Sequence, residues 1–133
     1  MPFAINGVLT IENLRNNIYS EKKDSLTREV DMVFSIVKSY YTRANLGKIT
    51  HEEAQVECLS EIRNIRFGPN QQDYFWIHTL NNVNNQSQIF MLMDPSSPEL
   101  EGKDISHYAD QNGKMIFVDM NNLIRNSTSG SAF

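Results

Sequence analysis

The sequence predicts a single α+β domain in which two helices pack against an antiparallel hairpin. Through the first half of the 133-residue chain, apolar residues recur at three- and four-residue intervals, the spacing of one helix face. From Asp73 onward the interval becomes two, which is typical of a strand. Gly, Pro and Asn interrupt these patterns and predict the order helix, helix, hairpin and a final short helix.

Composition and charge restrict the function. The chain is 40% hydrophobic and 21% charged, which is enough apolar content for one buried core. Its formal net charge of −4 leaves no basic surplus for a phosphate backbone, so a nucleic-acid partner is not expected. No apolar run approaches the roughly 18 residues of a membrane span, and no signal peptide is recognisable. We therefore expect a soluble domain, or the soluble part of a larger protein.

The first helix is predicted over residues 10–44, which contain neither Pro nor Gly. Its apolar face carries Leu26, Val30, Val33, Val37, Tyr40, Tyr41 and Ala44. At roughly 1.5 Å per residue the helix is about 50 Å long, more than a compact domain of this size can cover. Residues 1–25 are therefore predicted to form a stalk that packs on a partner helix or leads away from the body.

A stop signal and a start signal separate this helix from the next one. Gly47 in Asn45-Leu-Gly47 suits the left-handed residue that closes a helix. Thr50 and Glu53 then form a capping box, in which each side chain accepts a hydrogen bond from the backbone N–H of the other. The second helix places Ala54, Cys58, Ile62 and Ile65 on one face and ends before Phe67-Gly68-Pro69.

A hairpin and a short helix complete the predicted elements. In the first strand, Tyr74, Trp76 and His78 are predicted to point to one side, and Phe75 and Ile77 to the other. In the second strand, Ile89, Met91 and Met93 alternate with Phe90, Leu92 and Asp94. The Asn-rich residues 81–87 predict a long loop without regular structure. Residues 114–125 predict a helix whose apolar face carries Ile116, Met120, Leu123 and Ile124.

Little in the sequence indicates catalysis. Cys58 lies on an apolar helix face, where a free Cys is usually a small buried hydrophobe. The three His residues lack the short spacing of zinc ligands. Asp110-Gln-Asn-Gly113 is similar to the middle of a calcium-binding loop, but Tyr108 stands where the first carboxylate belongs, so a plain turn is predicted. We expect no catalytic residue, metal or cofactor; a hydrolase that uses Cys58 or a His is the least favoured alternative.

A ligand-binding site has more support. Arg66 ends the second helix just before the strand that carries Tyr74 and Trp76. A guanidinium grips a carboxylate, while Tyr O–H and Trp N–H groups orient a ligand in an apolar wall. The competing interpretation is that Arg66 is a solvated helix-end charge and that both aromatic residues are plain core.

Five motifs in order resemble one protein family. They are Ile65-Arg-Phe-Gly68, Asp73-Tyr-Phe-Trp-Ile77, Met91-Leu-Met-Asp-Pro95, Pro98-Glu-Leu-Glu-Gly-Lys-Asp104 and Asp110-Gln-Asn-Gly-Lys114. Together with the helix junction at residues 47–54, they are similar to the single Cache domain of bacterial chemoreceptors (methyl-accepting chemotaxis proteins) and sensor histidine kinases. The resemblance covers about residues 26–125. It implies a PAS-like antiparallel sheet, a long N-terminal helix that follows a transmembrane segment, and an extracytoplasmic pocket for short organic acids.

The resemblance also implies a set of ligand-binding residues. Arg66, Tyr74 and Trp76 match the family's pocket motifs, and Met93 and Asp94 match its Met-His-Pro strand end. Asp94 replaces the family's usual His, and a carboxylate at this position would repel an acid. Either Asp94 pairs with Arg66 or another cation, or the ligand carries an amine or amide, or His78 takes over as the donor.

The family usually continues through further strands, whereas this chain ends at Phe133. We therefore expect a sheet that is incomplete at its C-terminus. The predicted function is that of an extracytoplasmic sensor domain, residues 1–133, in a membrane receptor whose transmembrane helices lie outside this chain. A homodimer through the long helix is expected. The alternative is a structural dimerisation module without an external ligand.

Overall fold

The computed structural model describes residues 2–79, 82–83 and 86–125. Its helices are α1 (Pro2–Asn45), α2 (His51–Arg63) and α3 (Ile116–Arg125), and its strands are β1 (Ile77–His78), β2 (Asn82–Val83), β3 (Gln86–Ser87) and β4 (Met91–Met93). Two 3₁₀ turns, Pro69–Gln71 and Pro98–Leu100, lie in the connections. The predicted α+β fold is confirmed: the helices pack on a short antiparallel sheet.

Helix α1 is longer at its N-terminus than predicted, with 44 residues and a length of about 66 Å. It ends where the Asn45-Leu-Gly47 signal indicates. Gly47 has φ of 70° and its N–H donates to the carbonyl of Ala44 at 2.9 Å. Among the described residues, no helix is both long and apolar enough to cross a membrane.

The buried face of α1 differs from the predicted one. Val33, Ile36 and Tyr40 pack against the core, and Ala44 is buried, as the helical spacing requires. Four other predicted members are exposed, namely Leu26, Val30, Val37 and Tyr41. The rest of the domain covers only one narrow face of α1, because α2 is its one helical neighbour with extensive contact in the described residues. The rest of the apolar surface faces outward.

Helix α2 starts with the predicted capping box. The backbone N–H of Glu53 donates to the Thr50 hydroxyl at 3.0 Å, and the backbone N–H of Thr50 donates to the Glu53 carboxylate at 2.9 Å. Ala54, Cys58 and Ile62 are buried. The helix ends at Arg63, so Ile65 lies beyond it, although that side chain still packs against the same core.

Strands β1 and β4 pair antiparallel, with Ile77 opposite Met93 and His78 opposite Met91. The first strand is much shorter than the sequence pattern predicted. The loop prediction for residues 81–87 is wrong in part, because Asn82–Val83 pairs with Gln86–Ser87. A ladder needs only backbone groups, and polar side chains at a hairpin tip do not prevent it.

In the described residues, two apolar clusters form the core. One joins Cys58 and Ile62 of α2 to Met93, with Phe75 and Ile77 packed against them. The other joins Ile89 and Met91 to Ile105 and Phe117. Helix α3 therefore buries Phe117 and Asn121, one turn apart, whereas the predicted core residue Leu123 is 58% exposed.

Candidate ligand-binding site

Tyr74 and Trp76 line one side of an open cavity of about 520 Å³. Helix α1 contributes Lys22, Ser25 and Leu26 to the lining, and the connection after α2 contributes Phe67, Gly68, Pro69 and Asp73. Phe75 and Ile77 pack into the core instead. The predicted alternation of residues 74–77 therefore separates two cavity residues from two core residues.

The connection from Phe67 to Asp73, which lines this cavity, is a closed loop. The backbone groups of Phe67 and Asp73 exchange two hydrogen bonds, each 3.1 Å long. Gly68 has φ of 70°, and a Cβ at this position would fall on the Asp73 carboxylate. Only glycine at residue 68 leaves room for the Asp73 carboxylate to lie against the backbone there, so the charge of Asp73 is held at the cavity wall.

The cavity combines charges with polar aromatic groups. Lys22 supplies an ammonium group, and Trp76, which is 38% exposed, supplies an indole with one N–H donor and an apolar face. Such a wall can orient a small polar molecule and cover its apolar part.

The hydroxyl of Tyr74 links the cavity to Asp94. It donates to the Ser96 hydroxyl at 2.6 Å, and that hydroxyl donates to Asp94 Oδ1 at 2.9 Å. The same oxygen accepts from the backbone N–H groups of Ser96 at 2.9 Å and Ser97 at 3.2 Å. Asp94 is buried, and these donors offset the cost of burying its charge.

Arg66 has a different position from the one predicted for a ligand-gripping cation. Its Nη1 donates to the carbonyl oxygens of Arg63 at 2.7 Å and Ile65 at 2.9 Å, where α2 ends. The side chain satisfies carbonyl groups that a helix end leaves free. In the described part of the chain, Arg66 does not line the cavity, and the hydrogen bonds to the Asp94 carboxylate come from Ser96 and Ser97.

Arg63, three residues before Arg66, binds the segment after β4. Its Nη2 contacts both carboxylate oxygens of Glu101, at 2.6 and 2.7 Å. Glu101 Oε1 also accepts from the backbone N–H of Asp94 at 2.8 Å. This backbone donor first, and then the Arg63 guanidinium, lower the pKa of Glu101 below its ordinary value. We call these contacts of Glu101 with Arg63 and with the Asp94 backbone the Glu101 clasp. The clasp fixes the end of β4 against α2.

Of the last two predicted site residues, Met93 lies in the core and His78 is half-buried beside α3. Met93 is fully buried beside Cys58 and Ile62. His78 Nε2 is 3.0 Å from Asn121 Oδ1, and its ring meets the edge of Phe117 at 5.5 Å. Burial lowers the pKa of His78, although the Asn121 contact opposes this shift. A neutral imidazole has one N–H, and the tautomer that carries it on Nε2 donates to the Asn121 oxygen.

The structure thus brings Tyr74 and Trp76 to one cavity and connects Tyr74 to Asp94. Arg66, His78 and Met93 lie elsewhere. The sequence did not identify Lys22 as a residue of the cavity lining, nor Ser96 and Asn121 as the partners of Tyr74 and His78. The Asp-Pro-Ser-Ser run was a usable signal for Ser96, because Asp commonly accepts from N–H groups two and three residues later. Lys22 had no local signal, since only the fold brings α1 to this cavity.

The residues considered for chemistry have structural roles. Cys58 is buried, and burial followed by the nearby Glu61 raises the pKa of its thiol, which disfavours the reactive thiolate. Asp110 Oδ1 accepts from the backbone N–H groups of Asn112 at 2.8 Å and Lys114 at 2.9 Å, as a turn requires. Among residues with described side chains, no three His, Cys, Asp or Glu residues are grouped for a metal.

The arrangement of a long helix, a second helix and an antiparallel hairpin with a cavity beside it defines a PAS-like sensor domain. More specifically, the chain belongs to the single Cache family. The family model described as "Single Cache domain 2" matches residues 18–133. This family provides the extracytoplasmic sensor domains of membrane chemoreceptors, a non-catalytic kind of domain.

Relatives agree with this assignment. The chain is 27% identical over 127 residues to the methyl-accepting chemotaxis protein McpP of Pseudomonas putida, a match that covers 96% of this chain. It spans only 22% of the length of that curated relative.

Two solved structures are also similar. One is described as the periplasmic sensor domain of a chemotaxis protein, with a TM-score of 0.69, 29% identity and coverage of 80% of this chain and 68% of that one. The other comes from work on carboxylic acid recognition by a Cache chemosensory domain, with a TM-score of 0.72, 32% identity and coverage of 84% and 70%.

Proposed function

We propose that the chain is the ligand-sensing domain of a transmembrane receptor for chemotaxis or two-component signalling, and that it binds a short organic acid in the cavity beside Tyr74 and Trp76. The observation that carries the proposal is the meeting of Lys22, Tyr74 and Trp76 at one cavity. Carboxylic acid recognition in a neighbour of 32% identity adds support for the ligand class.

The charges that line the cavity indicate how a bound acid would be oriented. Lys22 is the cation that lines the cavity and attracts a carboxylate, whereas Asp73, which also lines the cavity, repels it. We propose that the acid turns its carboxylate toward Lys22 and the Trp76 N–H, with its apolar part on the indole face. The Asp94 carboxylate already accepts from Ser96 and Ser97, so it would orient the Tyr74–Ser96 pair rather than contact the acid.

Titration calorimetry of the 133-residue chain tests the ligand class. The panel contains acetate, propionate, pyruvate and lactate, then a neutral amino acid, a simple amine and urea. We expect a short acid to bind with a Kd below about 1 mM, a binding free energy of at least about −4 kcal/mol. Binding of only the amine or urea would contradict the acid, and binding of no compound would contradict the sensor function.

Variants test the assignment of the cation. Lys22→Met should weaken acid binding by about tenfold, the loss of roughly 1.4 kcal/mol that one charge-assisted hydrogen bond provides. The matched control is Lys38→Met, an exposed residue of the same helix. Loss of binding in Arg66→Met but not in Lys22→Met would contradict this assignment and return the role to Arg66.

A second candidate function, dimerisation without an external ligand, is favoured by the surface of α1. Six large side chains recur at three-, four- or seven-residue intervals and are all exposed: Tyr19, Leu26, Val30, Phe34, Val37 and Tyr41. We call them the α1 stripe. Such spacing is typical of a helix that packs along another helix. This function requires association in solution and no rise of Tm with any of the acids.

A further inference from the structure

A second cavity, of about 250 Å³, lies between the two long helices and reaches the sheet. Tyr40 and Ala44 of α1, Ala54 and Cys58 of α2, and Ile77 of β1 are among the described residues that line it. We call it the α1–α2 cavity. It shares no lining residue with the cavity beside Tyr74 and Trp76, so it is a separate site.

Small side chains account for the space in the α1–α2 cavity. Ala44, Ala54 and Cys58 are all buried where the two helices meet, and larger apolar side chains at these positions would fill the gap. In another protein, an apolar cavity of roughly 150 Å³ binds one benzene molecule. The α1–α2 cavity therefore has room for one aromatic ring with a small substituent.

The aromatic wall of this cavity is fixed before any ligand arrives. The Tyr40 hydroxyl donates to the Glu61 carboxylate at 2.8 Å, and the Arg43 guanidinium lies 5.2 Å from the centre of the Tyr40 ring. Both contacts hold the ring in place at the cavity. Since a ligand does not have to order this side chain, binding loses less conformational entropy. Another aromatic ring can pack on it edge-to-face or offset.

The charges of the lining restrict the class of ligand. Among the described residues that line the α1–α2 cavity there is no Asp, Glu, Lys or Arg, whereas Lys22 and Asp73 line the other cavity. A carboxylate here would lose hydration without gaining a cation, so an acid is disfavoured. His51 and Gln55, both exposed, contribute hydrogen-bonding groups to the lining. An uncharged molecule with one polar group fits this set.

We propose that the α1–α2 cavity is a second ligand site, for a small uncharged aromatic molecule with one hydroxyl group, of which phenol is the simplest example. The proposal goes beyond acid sensing and does not depend on it. Because such a molecule would contact both helices, it would act on the packing of α1 against α2.

A second copy of the chain is the competing occupant. Val37 and Tyr41 line the α1–α2 cavity and also belong to the α1 stripe. A helix that lies along α1 covers the outer surface of these two residues. The cavity, however, extends inward to Cys58 and Ile77, which are part of the core. A compact molecule fills such a recess better than a helix face does.

Phenol and benzoate test the site in the unchanged chain, because at pH 7 they have the same ring and differ in charge. In methyl NMR spectra, the ring current of bound phenol should shift the signals of Ala54, Leu59 and Ile77 with a Kd of about 1 mM or below. Benzoate should leave these signals in place. Ile105, in the other apolar cluster, is the internal control and should not move with phenol. No saturable shift with phenol, or equal shifts with benzoate, would overturn the proposal.

A variant that fills the cavity provides the second test. Ala54→Leu should weaken phenol binding by about tenfold or more. The matched control is Val56→Leu, at a 69% exposed position of the same helix outside the cavity lining, and it should bind phenol as the unchanged chain does. Circular dichroism checks that both variants fold. Undiminished phenol binding by folded Ala54→Leu would contradict the site, and if this variant does not fold, the methyl shifts of the unchanged chain decide.

Two further variants distinguish the α1–α2 cavity from the other sites. Lys22→Met should weaken acid binding and leave phenol binding unchanged, whereas loss of phenol binding in this variant would place phenol in the acid cavity. Phe34→Glu, which changes the α1 stripe, should bind phenol with the same Kd as the unchanged chain. Binding of phenol to Phe34→Glu alone would assign the cavity to a second copy and overturn the proposal. Phenol binding and acid binding can thus fail separately.

Discussion

At the scale of single residues, the cavity depends on a position where only glycine fits. Gly68 combines a left-handed backbone with the close approach of the Asp73 carboxylate. Gly102 has a similar φ of 77°, but a Cβ there would have no neighbour within 4 Å. Substitutions at Gly68 and Gly102 can therefore distinguish the cost of backbone strain, which both share, from the cost of a steric clash, which only Gly68 has.

We expect Gly102→Ala to lower the free energy of unfolding by about 1 kcal/mol, the cost of a left-handed alanine. Gly68→Ala should cost about 2 kcal/mol or more, because the Asp73 carboxylate must also move. Urea unfolding of both variants measures the difference. Equal losses would show that Asp73 does not restrict this turn.

Single residues also show where sequence reasoning ended. Tyr74 and Trp76 could be predicted as cavity residues because strand alternation is a local property. Arg66 could not be placed, since a guanidinium at a helix end either reaches a ligand or satisfies its own carbonyl groups. Asn121 had no signal, because an Asn on a helix is ordinarily a surface residue.

At the scale of elements, a hydrogen-bonded chain connects the cavity to α2. It runs from Tyr74 through Ser96 and Asp94 to Glu101, which Arg63 of α2 holds. Since α2 packs along α1, a movement of the Ser96 turn on ligand binding can reach the long helix. We expect this route to carry the signal as a small shift between packed elements.

The Glu101 clasp predicts a pH dependence. The folded state lowers the pKa of Glu101 from its ordinary 4.5, so the unfolded chain takes up this proton first as the pH falls. The contribution to stability is therefore complete well above pH 4.5 and is lost as the pH falls through the folded pKa. Glu101→Gln should unfold at lower urea concentration at pH 7, and its deficit should narrow towards acid pH.

The exposed neighbour Glu99→Gln is the control, and it should follow the unchanged chain across the pH range. A deficit of Glu101→Gln that stays constant down to acid pH would contradict the charged clasp.

Elements were predictable where their signals are local. The capping box of α2 and the Gly47 stop of α1 depend on neighbouring residues, and both appear as predicted. The buried face of α1 was not predictable, because helical spacing identifies an apolar surface without indicating what covers it. Here the core covers Val33 and Tyr40, and it leaves the α1 stripe exposed.

At the scale of the whole molecule, the α1 stripe predicts a homodimer. Phe34 is 65% exposed at its centre, and a charge there would face the apolar seam of a second copy. Phe34→Glu should therefore shift the monomer–dimer equilibrium towards the monomer by tenfold or more, about 1.4 kcal/mol. Sedimentation velocity over a range of concentrations measures this shift.

Met32→Glu is the matched control, because Met32 is 64% exposed but lies on a different side of α1. Its association should equal that of the unchanged chain. An equal effect of both substitutions, or a monomer at every concentration, would contradict a dimer through the stripe.

The most direct test of the sensor site uses the single tryptophan of the chain, Trp76. An acid that binds in the cavity must change its surroundings, so titration with pyruvate or propionate should give a saturable change in tryptophan fluorescence. The midpoint should agree with calorimetry, and it should move to about tenfold higher concentration in Lys22→Met but not in Lys38→Met. Acid binding detected by calorimetry without any change in Trp76 emission would place the ligand elsewhere and contradict the account.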